Sequence, residues 1–181
     1  MAGQRLTDKT ALNNHTGSGD LYMVVDVSDT SSSTSGTSKK LDSKFVIQTD
    51  KISISSAEFQ AMDSSGSAGK FKTLVAAPGS GFGIIPISVI ALCTYVSSND
   101  TANRTIYAGY DVSALFFWKS KARFMHNQAG SRVYAVDYVV STTTTQSGSI
   151  DNVAFNLWSS GNFNGDFTAD VYVTYQIIKL G

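Results

Sequence analysis

The sequence has few of the side chains on which most catalytic and metal sites depend. Its 181 residues include one cysteine, two histidines and one glutamate, Glu58. A single cysteine, Cys93, can form neither an intrachain disulfide nor a thiolate metal cluster, and we expect it to be a buried, inert thiol. His15 and His126 are isolated, so no Ser-His-Asp relay is indicated, and we interpret both as surface or interface residues. We predict a non-enzymatic chain with no catalytic residues, no metal site and no cofactor.

The sequence also lacks an excess of charge and a long apolar run. Fourteen basic residues balance fourteen acidic ones, which gives no electrostatic basis for binding nucleic acid. The longest apolar stretch, 84–96, is interrupted by Pro86 and is too short for a membrane helix. The first eight residues are polar, so no signal peptide is expected. We therefore predict neither a nucleic-acid partner nor a membrane.

What the sequence does contain is typical of β-structure. Serine and threonine number 43, and valine and isoleucine outnumber leucine by 26 to 9. These residues favour strands and turns, whereas helices favour leucine, glutamate, lysine and alanine. The composition predicts an all-β protein.

The chain divides into two parts near residue 50. A strand at 21–27 is followed by a run of serine and threonine, 28–38, which has no apolar residue to bury and is interpreted as a loop or linker. Beyond residue 50 the strand signals become stronger. We predict an N-terminal attachment segment with a Ser/Thr-rich linker at 1–50 and a β-sandwich domain at 51–181.

Local patterns place several elements in the second part. Residues 51–55 alternate as a half-buried strand, and a serine at 55 or 56 with Glu58 predicts a helix cap. Pro78–Gly81 predicts a tight turn with glycine at positive φ, which is favoured over a phosphate cradle because no helix is expected after it. Pro86 near the start of a long strand at 84–97 predicts an edge position or a bulge.

Patterns near the C-terminus complete the predicted sandwich. Residues 133–140 are apolar on both faces apart from Asp137, so this strand is predicted to be buried on both sides. Asn164-Gly165 is the strongest hairpin signal, because a type I′ turn needs two residues with positive φ. We therefore expect a hairpin over the last thirty residues. About eight strands at this spacing predict an antiparallel β-sandwich that resembles a jelly roll.

Three groups of segments resemble proteins of tailed-bacteriophage virions. An N-terminal group resembles the attachment segment of phage fibre and tail proteins: LTDKTAL at 6–12, DLYMVVDVSDT at 20–30 and GTSKKL at 36–41. A second group is similar to a small β-domain of phage structural proteins, which opens with a strand, one helical turn and a glycine turn: ISISSAEF at 52–59 and LVAAPGSG at 74–81. The ending DVYVTYQI at 170–177 fits the last strand of that domain. The resemblance covers roughly the first 85 and the last 15 residues.

This resemblance implies a virion structural protein that is assembled in the cytoplasm of a bacterial host. The first hypothesis is an oligomeric head fibre or capsid decoration protein, anchored by its N-terminus to other proteins of the capsid or tail. The alternative is a tail-fibre adhesin that binds a host surface glycan. The residues proposed for virion attachment are the apolar ones of the N-terminal segment: Leu6, Leu12, Tyr22, Val24, Val25 and Val27.

An aromatic cluster predicts self-association. Leu115 to Trp118 are four consecutive large apolar residues, and alternation cannot bury all four against one core. Exposed clusters of this kind usually mark an interface. We predict a homo-oligomer, a trimer first and a dimer second, with Phe116, Phe117 or Trp118 at the contact. The alternative is that the sandwich is thick enough to enclose them.

Overall fold

The computed structural model describes residues 21–26, 28, 31, 37–42, 45–110, 116–120, 123–135 and 150–181. The chain separates into two compact units, Met1–Val46 and Ile47–Gly181. In the first unit, β1 (Leu21–Asp26) pairs antiparallel with β2 (Thr37–Asp42). Much of the Ser/Thr run therefore connects two paired strands, and the described Ser28 and Ser31 are exposed.

The described part of the second unit contains eight strands and one short helix. In chain order they are β3 (Gln48–Ile54), α1 (Ser56–Ala61), β4 (Lys72–Val75), β5 (Phe82–Tyr95), β6 (Ile106–Gly109), β7 (Phe116–Lys119), β8 (Arg132–Ala135), β9 (Phe155–Ser159) and β10 (Phe167–Lys179). They form two antiparallel four-stranded sheets with the orders β3-β10-β5-β8 and β4-β9-β6-β7. The predicted all-β sandwich is confirmed.

The strand pairs show how the chain is wound. The first strand of the unit pairs with the last, and each following strand pairs with the one before the previous partner. The pairs are β3 with β10, β4 with β9, β5 with β8 and β6 with β7. The contacts of β5 with β10 and of β6 with β9 then join these pairs into sheets. This is one long double ribbon rolled onto itself, which is the jelly-roll architecture of eight strands.

The predicted C-terminal hairpin is wrong. Strands β9 and β10 belong to different sheets, so the segment that contains Asn164 and Gly165 crosses the sandwich. Neither residue has positive φ, so the type I′ turn does not form there. Residue preferences report local turn geometry, whereas here pairing with distant strands determines where both β9 and β10 go.

Gly165 is required at this crossing for a different reason. A Cβ atom at Gly165 would lie 2.5 Å from the backbone nitrogen of Asp100 and 2.7 Å from its Cα. Asp100 is buried, and its Oδ1 accepts hydrogen bonds from the backbone N–H groups of Asn164 (2.9 Å) and Gly165 (3.2 Å). The N–H of Asn127 donates to the backbone oxygen of Asp100 at 2.8 Å. This Asp100 clasp joins three loops at one end of the sandwich, and only glycine allows the two backbones to come so close.

Helix α1 covers the core at that same end. The predicted cap is confirmed: the Ser55 side chain accepts from the N–H of Glu58, and the Glu58 carboxylate accepts from the N–H of Ser55. This capping box satisfies two N–H groups that a helix start leaves unpaired. Phe59 is thereby directed into the core, where its ring lies 4.6 Å from that of Phe167 and 5.7 Å from that of Phe163.

The long strand β5 carries the bulge that its proline predicts. Tyr175 of β10 is opposite Pro86 and Thr174 is opposite Ser88, so Ile87 is the extra residue. The predicted burial of 133–140 is wrong where the structure describes it, because Val133 is 69% exposed. Although the sequence of this strand is apolar on both faces, three of the four residues of β8 are exposed in the described part of the chain. Most of the aromatic cluster at 115–118 lies in strand β7, Phe116–Lys119.

Candidate interaction surface

Half of the predicted attachment residues are among those described. Tyr22, Val24 and Val25 lie in β1. Leu6, Leu12 and Val27 lie outside the described residues. The role of these six residues in attachment stays a prediction.

The predicted contact at 116–118 falls on strand β7. Trp118 is 8% exposed and belongs to the hydrophobic core. The backbone of Phe116 is opposite Gly109, and Phe117 lies between Phe116 and Trp118 in the same strand. The side chains of Phe116 and Phe117 lie outside what the structure describes. The contact at 116–118 stays a prediction, and the burial of Trp118 favours the alternative of an enclosed segment for that residue.

The candidate reactive groups are dispersed. Cys93 is buried, as predicted, and this burial raises the pKa of its thiol to about 12. The Glu58 carboxylate is held by the Lys72 ammonium and by Ser55, which lower its pKa to about 2. His126 is half-buried, and its Nε2 lies 3.2 Å from the side-chain nitrogen of Asn127. Within the described ranges, no group of three or more His, Cys, Asp or Glu side chains is placed to hold a metal ion.

The glycine turn between β4 and β5 uses its amides internally. Gly79 and Gly81 have φ of 99° and 81°, as the predicted tight turn requires. Their N–H groups donate to the side chains of Asn152 (2.9 Å) and Asp151 (2.6 Å). Because both amides already have partners, this turn is a structural connection and not an anion cradle.

The outward face of the sheet β3-β10-β5-β8 is the most distinctive surface of the second unit. Directly opposed residues in an antiparallel sheet share a face, so the register defines rows of side chains across the four strands. Two complete rows cross this face: Ser53, Asp170, Leu92 and Val133 form one, and Lys51, Tyr172, Ile90 and Ala135 form the other. In both rows, the side chains on β3 and β10 are polar and those on β5 and β8 are apolar.

The β3–β10 half of this face is polar and internally paired. The Lys51 ammonium lies 2.8 Å from Asp170 Oδ2, and the Ser53 hydroxyl donates to Asp170 Oδ1 at 2.7 Å. These two groups lower the pKa of Asp170. The hydroxyls of Thr49 and Thr174 also form a hydrogen bond, at 2.9 Å. These five polar side chains of the β3–β10 half are therefore paired within the chain.

The β5–β8 half is apolar, and its outward side chains are exposed in the part of the chain that the structure describes. We call it the β5–β8 stripe, and it consists of five aliphatic side chains: Ile85, Ile87, Ile90, Leu92 and Val133. The four on β5 are between 38% and 44% exposed, whereas the neighbouring Val89 and Ala91 are buried. The bulge beside Pro86 shifts the alternation by one residue, so Ile85 and Ile90 face the same way despite their odd spacing.

A shallow recess lies at the end of this face near α1. It has a volume of about 300 Å³. Hydroxyls and two carboxylates contribute to its wall, with lining residues Ser53, Ile54, Ser55, Glu58, Thr94, Thr168, Ala169 and Asp170. Both carboxylates already bind lysines, Glu58 to Lys72 and Asp170 to Lys51.

Sequence reasoning did not identify the β5–β8 stripe as a surface. The signal was present in the alternation of isoleucine and leucine along β5, but the same alternation describes a strand whose apolar residues face the core. Which set faces outward depends on the bulge, which Pro86 indicates, and on the partner strands, which β5 alone does not reveal.

Comparison with known proteins adds little to this geometry. No protein-family model matches the chain, and no curated protein matches it. Among solved structures, a chain described as "Cyanophage Pam1 capsid asymmetric unit" is similar at 16% identity, over 99% of each chain, with a TM-score of 0.41. A likeness at that TM-score carries no inference about function, which is therefore argued from the residues themselves. Within the described part of the chain, no helix has the length and apolar character that crossing a membrane requires.

Proposed function

We propose that this chain is a non-enzymatic bacteriophage virion structural protein, an oligomeric head fibre or capsid decoration protein that residues 1–50 anchor to the particle. The observation that carries the proposal is the opening of the second unit. Strand β3, the capped helix α1 and the glycine turn at 79–81 follow one another as the phage-family resemblance implies. The jelly roll also supports it, since this architecture occurs in viral capsid proteins, although it is shared with lectins and cupins.

Labelling of intact virions tests this proposal. An antibody against the chain, visualised by negative-stain electron microscopy on the phage that encodes it, is expected to label the capsid. Virions carrying Val24→Asp and Val25→Asp are expected to lose the label, because charge on β1 would prevent apolar attachment. Ser31→Asp is the matched control, since Ser31 is exposed in the same unit. Wild-type virions without any label would overturn the proposal.

The second candidate is a tail-fibre adhesin that binds a host surface glycan. The hydroxyl-lined recess beside α1 favours it, because hydroxyl and carboxylate groups can hydrogen-bond sugar hydroxyls. Label at the tail tip would favour this function over the first. Binding of the purified chain to host polysaccharide, with loss of binding in Thr168→Leu, would place the glycan in the recess.

A further inference from the structure

The β5–β8 stripe is larger than the scattered apolar residues of an ordinary surface. Its side chains are adjacent along β5 and across to β8, where Leu92 is directly opposite Val133. Together they expose on the order of 400 Å² of apolar surface, within the range of the largest patch on a typical monomer, which is often functional. A stable interface of standard size buries ~800 Å² per partner, a little over half of it apolar. The stripe supplies about that apolar share.

The charges around the stripe favour an uncharged partner. None of the outward positions of β5 from Ile85 to Leu92 carries a charge. The carboxylate nearest to it in the rows, Asp170, is already neutralised by Lys51. A nucleic acid or a strongly charged protein would find no complementary group here. The chain as a whole has zero formal net charge, so two copies approach one another without long-range repulsion.

We infer that the β5–β8 stripe is a self-association surface, on which a second copy of this chain packs. An identical chain brings an uncharged apolar face of matching size, and outward faces of β-sheets pack together at about 10 Å by interdigitating such side chains. Tyr172, opposite Ile90 and half-buried, lies at the boundary between the stripe and the polar half. This inference concerns the second unit and does not depend on the virion role.

Light scattering on the purified full-length chain tests the inference. At tens of micromolar we expect a mass of two or three subunits. Leu92→Lys and Val133→Lys are each expected to give a monomer, because a buried ammonium without a partner opposes association. Ile47→Lys is the matched control: Ile47 is an aliphatic residue about as exposed as Val133, 63% against 69%, just before β3 at the opposite edge of the sheet. It is expected to leave the mass unchanged.

Thiol labelling gives a second readout that does not require a disruptive substitution. Cys93 is buried, so in Val133→Cys the introduced thiol is the one that reacts. Labelling of Val133→Cys is expected to be about tenfold slower in the oligomer than on dilution to the monomer, because only dissociated subunits present the thiol. Labelling of Ile47→Cys should not depend on concentration.

Three results would overturn the inference. The first is a monomeric wild-type chain at tens of micromolar, which would assign the stripe to some other partner. The second is an oligomer that persists in both lysine variants while their melting curves match the wild type. The third is an oligomer that dissociates in Phe117→Asp but not in Leu92→Lys, which would place the contact on β7.

Discussion

Strands β8 and β9 are both short and rich in apolar residues, yet the chain treats them in opposite ways. All five residues of β9 are buried, including Trp158, whose ring stacks on Tyr107 at 5.8 Å. Three of the four residues of β8 are exposed. The two strands also differ in position, since β9 lies between β4 and β6 whereas β8 is at the end of its sheet order. A strand whose sequence is apolar on both faces is therefore expected to be covered on both faces. The sequence does not show whether the same chain or a partner covers them.

Truncating one aromatic residue in β9 and one aliphatic residue in β8 should separate the two strands most clearly. Trp158→Ala is expected to lower the free energy of unfolding by about 3–5 kcal/mol, because it leaves a cavity in a closed region. Val133→Ala, measured in the monomeric Leu92→Lys background, should change it by less than about 0.5 kcal/mol. Urea unfolding followed by tryptophan fluorescence or circular dichroism measures both. Similar losses at the two positions would show that β8 is covered within one chain.

The contrast between a closed and an open environment can also be tested in the loops, at Gly165 and Gly130. Gly165→Ala is expected to cost about 1–3 kcal/mol, because its Cβ would overlap the backbone of Asp100 in the clasp. Gly130→Ala should be nearly neutral, because the atom nearest to a Cβ there is a guanidinium nitrogen of Arg132 at 3.7 Å. Thermal melting of the two variants against the wild type checks the pair. An unchanged melting temperature for Gly165→Ala would contradict the close approach at the clasp.

The smallest of the three expected losses of stability concerns Glu58, whose side chain is partly open to solvent. Its pKa of about 2 lies below the ordinary value of 4.5, so its contribution to stability is present above pH 4.5 and is lost as the pH falls towards 2. Glu58→Gln should therefore be less stable than the wild type at pH 6, by about 1 kcal/mol or less given the solvent screening of an exposed group. The difference should vanish near pH 2. Melting temperatures measured between pH 2 and 6 test this, and a constant difference would assign the effect to packing.

The sequence predicts what neighbouring residues determine. Ser55 and Glu58 define a helix start within four residues, and Pro86 removes a backbone donor, so the cap and the bulge could both be identified locally. The sheet order could not, because β3 and β10 meet across more than a hundred residues. The role of Gly165 has the same origin, since Asp100, the residue that requires a glycine there, is distant in sequence.

The candidate surface is harder to predict than the fold for a related reason. The aromatic cluster at 115–118 has the composition of an interface, but its Trp118 is buried in the hydrophobic core. Ile90 and Leu92 have the composition of a core, but they face outward because the bulge sets the phase of β5. Composition measures how much apolar surface must be covered, and the strand register decides which residues carry it.

The position of β10 has a consequence for the biosynthesis of this protein. It is the last strand of the jelly roll in chain order, yet it lies between β3 and β5 and pairs with both. During translation these two strands exist for a long time with open hydrogen-bonding edges, because the strand that joins them has not been made. Such edges can pair with other chains, and distant pairings form slowly. The nascent chain therefore presents these unpaired edges, which favour aggregation, until β10 is synthesised.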